Sequence, residues 1–302
     1  MQSPKSMIIA PSTARTLLAG AVLFFMSLTA SLPAVAGEAD ERWLTRVDDA
    51  VEAAADGDRL ILVDLYADWC GWCKVLEREV FTAPPFEEYT KDFVYLRVDV
   101  EDGGEGSALQ ARYNASSLPT TLVIDHNMVR VAKVPGYSPV DAFLQQLDHE
   151  IQGYNRLVDF AEKALVSDNT EAITRIATDL HKRGDGDHSA PLYARLLEID
   201  PDPKRIGWLH YLQADALRLA KHLDKSRVAL DEARRWVDKE GAANLAEELD
   251  LLVFRLAQDE GDCDAAKTSL KHFLEIHPRS RHRGSAEATL VGLNQGSDPL
   301  CA

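Results

Sequence analysis

Cys70-Gly71-Trp72-Cys73 is the stretch of this 302-residue chain best equipped for chemistry. An apolar run, Leu60-Ile61-Leu62-Val63, leads into it, and residues 74–80 have helical character. Read as strand, tight turn and helix, the pattern puts Cys70 at a helix N-terminus. There the unpaired N–H groups and the helix dipole favour a thiolate over a thiol. A thiolate is the nucleophile of disulfide exchange, so Cys70 is the residue expected to attack. Cys73, one turn further in, is expected to be shielded and to resolve the mixed disulfide. Trp69 and Trp72 flank the thiols with apolar surface suited to docking a polypeptide. Two bland alternatives exist, half of a zinc site and a static disulfide. Zinc needs further ligands at suitable spacing, and the sequence has neither a second C-x-x-C nor a paired His cluster. Asp185-Gly186-Asp187 has the look of a calcium-loop fragment but lacks the remaining ligands, and it reads as a loop. No metal site is expected.

The elements that must position these residues follow from periodicity and breakers. Apolar positions at helical spacing predict a helix over 40–56, closed by Gly57. A buried strand is expected at 59–66, and the helix after Cys70 should run to Phe81, where Thr82-Ala83-Pro84-Pro85 interrupts it. A short helix at 86–91 precedes a second strand at 93–100 and a glycine-rich acidic turn at 101–106. A helix at 107–113, a strand at 120–124, an antiparallel strand at 128–134 and a closing helix at 138–153 complete this part. Beyond residue 154 the strand signals vanish and Ala/Leu-rich amphipathic stretches alternate with short polar breaks. Leu196-Leu197-Glu198-Ile199-Asp200-Pro201 recurs as Phe273-Leu274-Glu275-Ile276-His277-Pro278. This periodicity is similar to tetratricopeptide-type helix pairs, although its unit is longer than the usual ~34 residues. An unrelated helical bundle is the alternative.

The stretch Val63-Asp64-Leu65-Tyr66-Ala67-Asp68-Trp69-Cys70-Gly71-Trp72-Cys73-Lys74 resembles the active-site segment of thioredoxin-fold oxidoreductases, and most the C-terminal periplasmic domain of the DsbD reductases. Leu118-Pro119-Thr120-Thr121 resembles the cis-proline loop of that family, and Gly136-Tyr137 its Gly-aromatic step. The resemblance covers about a hundred residues. It implies an α/β thioredoxin fold, a four-stranded mixed sheet with helices on both faces, while the all-α helical-repeat region expected beyond it rests on the periodicity past residue 154. The resemblance also implies that Asp64 is a buried carboxyl, raised in pKa, that exchanges a proton with Cys73 through water. Leu118 and Pro119 would offer backbone groups to an extended substrate. Trp72 departs from the proline of thioredoxin and from the small residue of the DsbD domain, which leaves reduction, oxidation and isomerisation all open. No role is assigned to Arg97.

Lys5 and Arg15, the apolar run at 17–32 and Ala34-Val35-Ala36 read as a secretory signal peptide at 1–36. An uncleaved membrane anchor is the alternative. The expected domains are thus 37–153, thioredoxin-like, and 154–302, α-helical and tetratricopeptide-like. The chain's formal charge is −16, which speaks against nucleic acid or an anionic membrane as a partner. Four cysteines in an exported chain read as two pairs. Cys263 and Cys301 are therefore expected to form a structural disulfide that fastens the C-terminal tail, with two free thiols as the alternative. The composite expectation is a periplasmic disulfide reductase that needs no cofactor beyond the Cys70–Cys73 pair. Its partners would be disulfide-containing proteins, a membrane electron donor of the DsbD type, and a protein held by the helical region. The competing expectation is a protein-binding scaffold whose disulfide is structural.

Overall fold

In the computed structural model, residues 42–199, 202–296 and 301 are described, and those from 42 onward belong to one compact unit. The signal-peptide expectation at 1–36 lies outside the described residues, as does Pro201 of the repeated segment.

Five strands form one mixed sheet. They are β1 (Trp43–Leu44), β2 (Ile61–Tyr66), β3 (Val94–Asp99), β4 (Thr120–Ile124) and β5 (Arg130–Pro135), in the order β1-β3-β2-β4-β5. β1, β3 and β2 run parallel, and β4 and β5 join antiparallel. The sheet has one strand more than expected. The spacing of Trp43 and Leu44 predicts that they belong to the first helix, but they pair with Tyr95 and Leu96, and helix α1 (Val47–Ala55) starts after them. Packing decides this: the Trp43 ring lies 5.2 Å from Phe81 and 5.1 Å from Tyr95, so the indole fills the sheet's edge.

The strand alternation sends Ile61, Val63 and Leu65 to one face, against α1 and α4 (Glu105–Arg112). Leu62 points to the other face. There it meets α2 (Gly71–Leu76), its π-helical continuation Glu77–Phe81, α3 (Pro84–Tyr89) and α5 (Val140–Ala164). Asp64 and its strand neighbour Arg97 share that second face by the same alternation.

The helix expected to close at Gly153 does not stop there; α5 continues to Ala164. Gly153 keeps ordinary helical backbone, and the turns beyond it bury Ala161 and Ala164 with Leu157 and Val158 in a new helical core. The apolar stripe outweighs the roughly 1 kcal/mol penalty of a mid-helix glycine. Seven more helices follow: α6 (Thr170–Lys182), α7 (Gly186–Ile199), α8 (Ile206–Leu219), α9 (Leu223–Glu240), α10 (Ala243–Asp259), α11 (Cys263–Ile276) and α12 (Arg283–Gln295). Each packs chiefly on its neighbours in sequence. The repeated segments end α7 at Ile199 and α11 at Ile276, the same point in both copies. Gly241, with φ 73°, closes α9 in the left-handed conformation that glycine adopts freely. Cys263 and Cys301 are joined by a disulfide across 38 residues, a closure equivalent to about 4 kcal/mol in the chain-entropy description.

The two parts are fused by more than α5. β5 is an edge strand, and Arg183, following α6, covers it. The Arg130 N–H donates to the Arg183 carbonyl at 2.8 Å, and the guanidinium donates to the carbonyls of Arg130 and Val131 at 3.2 and 3.0 Å. Tyr154 on α5 donates to Asp185 Oδ2 at 2.8 Å. Asp185, expected to lie in a loop, caps the start of α7 by accepting from the His188 N–H at 3.1 Å. Among the described residues no helix is long and apolar enough to cross a membrane.

Candidate active site

Strand β2 delivers the chain to the edge of the sheet, and the turn at Ala67-Asp68-Trp69 hands it to α2. Cys70 is the N-cap of that helix, with extended backbone, and its Sγ accepts from the Cys73 N–H at 3.1 Å. The two cysteines form a disulfide. Both are nearly covered, Cys70 at 3% and Cys73 at 2% exposure, while Trp69 and Trp72 stand out at 68% and 61%. The expectation of a shielded Cys73 is matched by an equally shielded Cys70 in this oxidised state. The sulfurs are thus approached across a rim of two exposed indoles.

That rim is built from distant segments. The Leu118–Pro119 bond is cis, and the Pro119 carbonyl accepts from the Gly136 N–H at 2.8 Å. Gly136 has φ 78°, open only to glycine without strain, and it leads the chain into Tyr137, which is half-buried against the second core cluster. The Tyr137 ring then stacks on Trp72 with centroids 5.4 Å apart, and its hydroxyl donates to Glu79 Oε2. The structure thus ties Pro119 to Trp72 through Gly136 and Tyr137, and packs Leu118 against the cluster that holds the two cysteines. Tyr137 acts as a brace for Trp72, a role its Gly-aromatic landmark did not indicate.

Asp64, at 1% exposure, lies on the face of β2 that carries the helix begun at Cys70. Neither carboxylate oxygen accepts a hydrogen bond. Arg97 Nε is 3.3 Å from Oδ2, within ion-pairing range but misaligned for a bond. The guanidinium is instead committed to Glu77, donating from Nη1 and Nη2 at 2.6 and 2.9 Å, and it stacks over the Tyr66 ring at 4.6 Å. Burial pushes the Asp64 carboxyl up to about 7; Arg97 pulls it down and Glu77 adds to the rise, and burial prevails. A carboxyl titrating near neutrality can take and return a proton within a working cycle. Glu77 lies one helical turn beyond Cys73, so it links the cysteine helix to the Asp64–Arg97 pair. Arg97, placed near the cysteines by the sequence but given no role, and Glu77, which sequence reasoning did not single out, both lie beside Asp64, and the register of β2 on β3 sets Asp64 beside Arg97.

Cys263 and Cys301, in α11 and the C-terminal tail, stand apart from this centre as a pair of their own. Among the described residues no group of three or more His, Cys, Asp or Glu side chains is arranged to hold a metal ion.

A family model described as thioredoxin-like matches residues 42–142. Residues 42–142 are a thioredoxin-like domain. The thioredoxin-like domain is similar to the thiol:disulfide interchange protein DsbD of Pseudomonas fluorescens, with 37% identity over 100 residues, 32% of this chain and 17% of that protein. DsbD of Ralstonia nicotianae is 36% identical over 107 residues, 34% of this chain and 17% of its own. The chain thus spans about a sixth of the length of these curated relatives. Among solved structures, the oxidised C-terminal domain of DsbD from Neisseria meningitidis aligns with 34% of this chain and 90% of its own, at 21% identity and a TM-score of 0.30. The α-helical region lies beyond the matched residues.

Proposed function

We propose that the protein is an exported thiol–disulfide oxidoreductase that reduces protein disulfides at Cys70–Cys73. The observation that carries this reading is the pairing of an N-cap disulfide with a buried, unbonded carboxyl, Asp64, that titrates near neutrality. In the reduced form the Cys70 thiolate would attack one sulfur of a substrate disulfide. That S–S bond breaks, one substrate thiolate leaves, and a mixed disulfide holds the substrate on Cys70. Cys73 then loses its proton towards Asp64 and attacks Cys70 Sγ, releasing the second substrate thiolate. Two electrons pass to the substrate and the protein is left with the Cys70–Cys73 bond, the state seen here. A dithiol donor must reduce it again, and in an oxidising compartment that donor would be a membrane protein of the DsbD type. The cysteine pair is the only redox group this cycle uses.

Trp69, Trp72, Leu118 and Pro119 are assigned to substrate docking in this reading, and the Cys263–Cys301 bond to structural support. The division at residues 37–153 and 154–302 belongs to the same proposal, with α5 shared across it. The stacked helices α6–α12 are read as a tetratricopeptide-like surface that holds a protein partner. Export rests on the signal-like residues 1–36 and fits a periplasmic location. The rival reading, a scaffold with a static disulfide, draws on one observation, the near-complete burial of both cysteines.

The equilibrium reduction potential of the pair against glutathione or dithiothreitol tests the proposal. A value near about −270 mV supports a reductase, whereas one near about −120 mV marks an oxidant and overturns the direction assigned. A pair that never cycles overturns the enzyme reading in favour of the scaffold. Replacing Cys73 by serine should trap substrates as mixed disulfides on Cys70.

A further inference from the structure

At the seam between the thioredoxin-like domain and the helical region lies a crevice of about 400 Å³. The end of α4 contributes Arg112, the end of α6 and its loop contribute Lys182 and Arg183, and α8 and α10 contribute Arg218 and Arg255. Asp215 is the carboxylate in its lining. That carboxylate is already taken, since it accepts from His181 Nε2 at 3.0 Å and from Arg218 Nε at 2.8 Å. Arg218 is shared further with Asp259, at 2.7 Å.

Of the other four cations, three have no carboxylate partner among the described residues. Arg183 spends its Nη1 donor on two backbone carbonyls, which carry no charge to offset it. Arg112 rests over the Tyr113 ring at 5.6 Å, Lys182 forms no ion pair among the described residues, and Arg255 shares the charge of Asp215 with Arg218 and His181. Three cations without an ion pair among the described residues, beside a fourth that shares Asp215 with two other cationic groups, are anomalous on one concave surface in a chain of formal charge −16. Crowding of like charge is felt nearby: burial and the neighbouring Arg183 both push Arg130 below the usual arginine range.

We propose that this crevice is a binding site for a compact dianion, a phosphate or dicarboxylate group, held by Arg112, Lys182, Arg183 and Arg255. The volume lies at the lower end of the range for small-molecule sites. Planar guanidinium groups pair with carboxylate and phosphate oxygens in bidentate fashion, which is stronger than a neutral hydrogen bond. A large polyanion is excluded by the same charge balance, because the acidic remainder of the chain would repel it. No residue of the disulfide centre lines the crevice, so the site is independent of the redox proposal. A bound dianion would also tie α4 to α6, α8 and α10.

The test is calorimetric titration of the protein with inorganic phosphate and, separately, with succinate, each against sodium chloride at matched ionic strength. Saturable binding of either dianion beyond the chloride control is expected, and the tighter of the two identifies the head group. In the double variant Arg112→Gln/Arg255→Gln the affinity should fall on the order of tenfold or more. Arg255 lies near Asp215, so Lys182→Gln, at an exposed position, gives a second variant that leaves packing untouched and should also weaken binding. Absence of saturable binding with both dianions overturns the proposal. Equal affinity in wild type and in both variants overturns it as well.

Discussion

Two buried aspartates in this molecule have opposite fates. Asp64, under the disulfide helix, has a cation at 3.3 Å and no hydrogen bond, and burial lifts its pKa to about 7. Asp215, in the helical region, is nearly as deeply buried. There burial is outweighed by the hydrogen bond from His181 and the charges of Arg218, His181 and Arg255, and its pKa falls well below the carboxylate range. Proximity of an arginine does not separate them, since each has one. What separates them is satisfaction: Arg97 is turned towards Glu77, whereas Arg218 and His181 each aim a donor at Asp215. One carboxyl is left able to change its charge, and the other is locked as a strut between helices. Asp250 repeats the strut, accepting from Arg234 and His277, both at 2.8 Å.

The contrast predicts a graded series of effects. Asp215→Ala strips the buried His181 and Arg218 of their acceptor and should cost about 3–5 kcal/mol in urea unfolding at neutral pH. Because the folded pKa of Asp215 is depressed, that stability is present above the unfolded carboxylate range and disappears as pH falls through the acid range. A loss under about 1 kcal/mol would put Asp215 among ordinary surface pairs.

Asp64→Asn should act in the opposite direction. The folded carboxyl, at about 7, holds its proton where the unfolded one, at 3.8, has lost it. Ionised Asp64 therefore costs stability that accrues from about pH 4 and is complete above about pH 7, and the gap is equivalent to about 4 kcal/mol. The variant should be more stable than wild type in alkaline buffer and indistinguishable from it in acid. Equal stability at both ends would show that Asp64 is as well solvated as a surface carboxylate.

The same substitution should slow resolution of the mixed disulfide by about a hundredfold, measured by stopped-flow, with loss of the pH-dependent limb near neutrality. The smallest effect is expected from Arg97→Gln. Removing the cation should raise the Asp64 titration by about one pH unit, followed by carboxyl NMR. An unchanged midpoint would mean that Glu77 neutralises Arg97 completely.

Much of the thioredoxin-like half was legible because its signals are local. The apolar run of β2, the C-x-x-C at a helix start and the strand at 120–124 are each written within a few consecutive residues, and the resemblance located Pro119 and Asp64. Interactions that depend on register were not legible. Arg97 and Asp64 are 33 positions apart and meet only because β2 pairs with β3. Tyr137 reaches Trp72 only after Gly136 is anchored to Pro119. A two-residue strand such as Trp43–Leu44 has too few residues to display a period, so its spacing blended into the following helix. In the helical half, amphipathic stretches announced helices, but the His–Asp struts join elements 27 and 34 residues apart and carry no sequence signature.

Helix α5 has a consequence for encounter rates. Its 25 residues form a rod of about 37 Å that runs from the thioredoxin-like core into the helical core without a flexible joint. A polypeptide held on the helices, as proposed above, would be presented to the disulfide from a fixed direction, with its search confined to the reach of its own chain. Under a floppy tether the local concentration of a captured disulfide would spread over every orientation the tether samples and dilute accordingly. A rod would concentrate it for substrates whose disulfide lies at one span from the captured segment, and exclude those with a shorter span. Under the proposed function the length of one helix would then act as a ruler for selecting substrates.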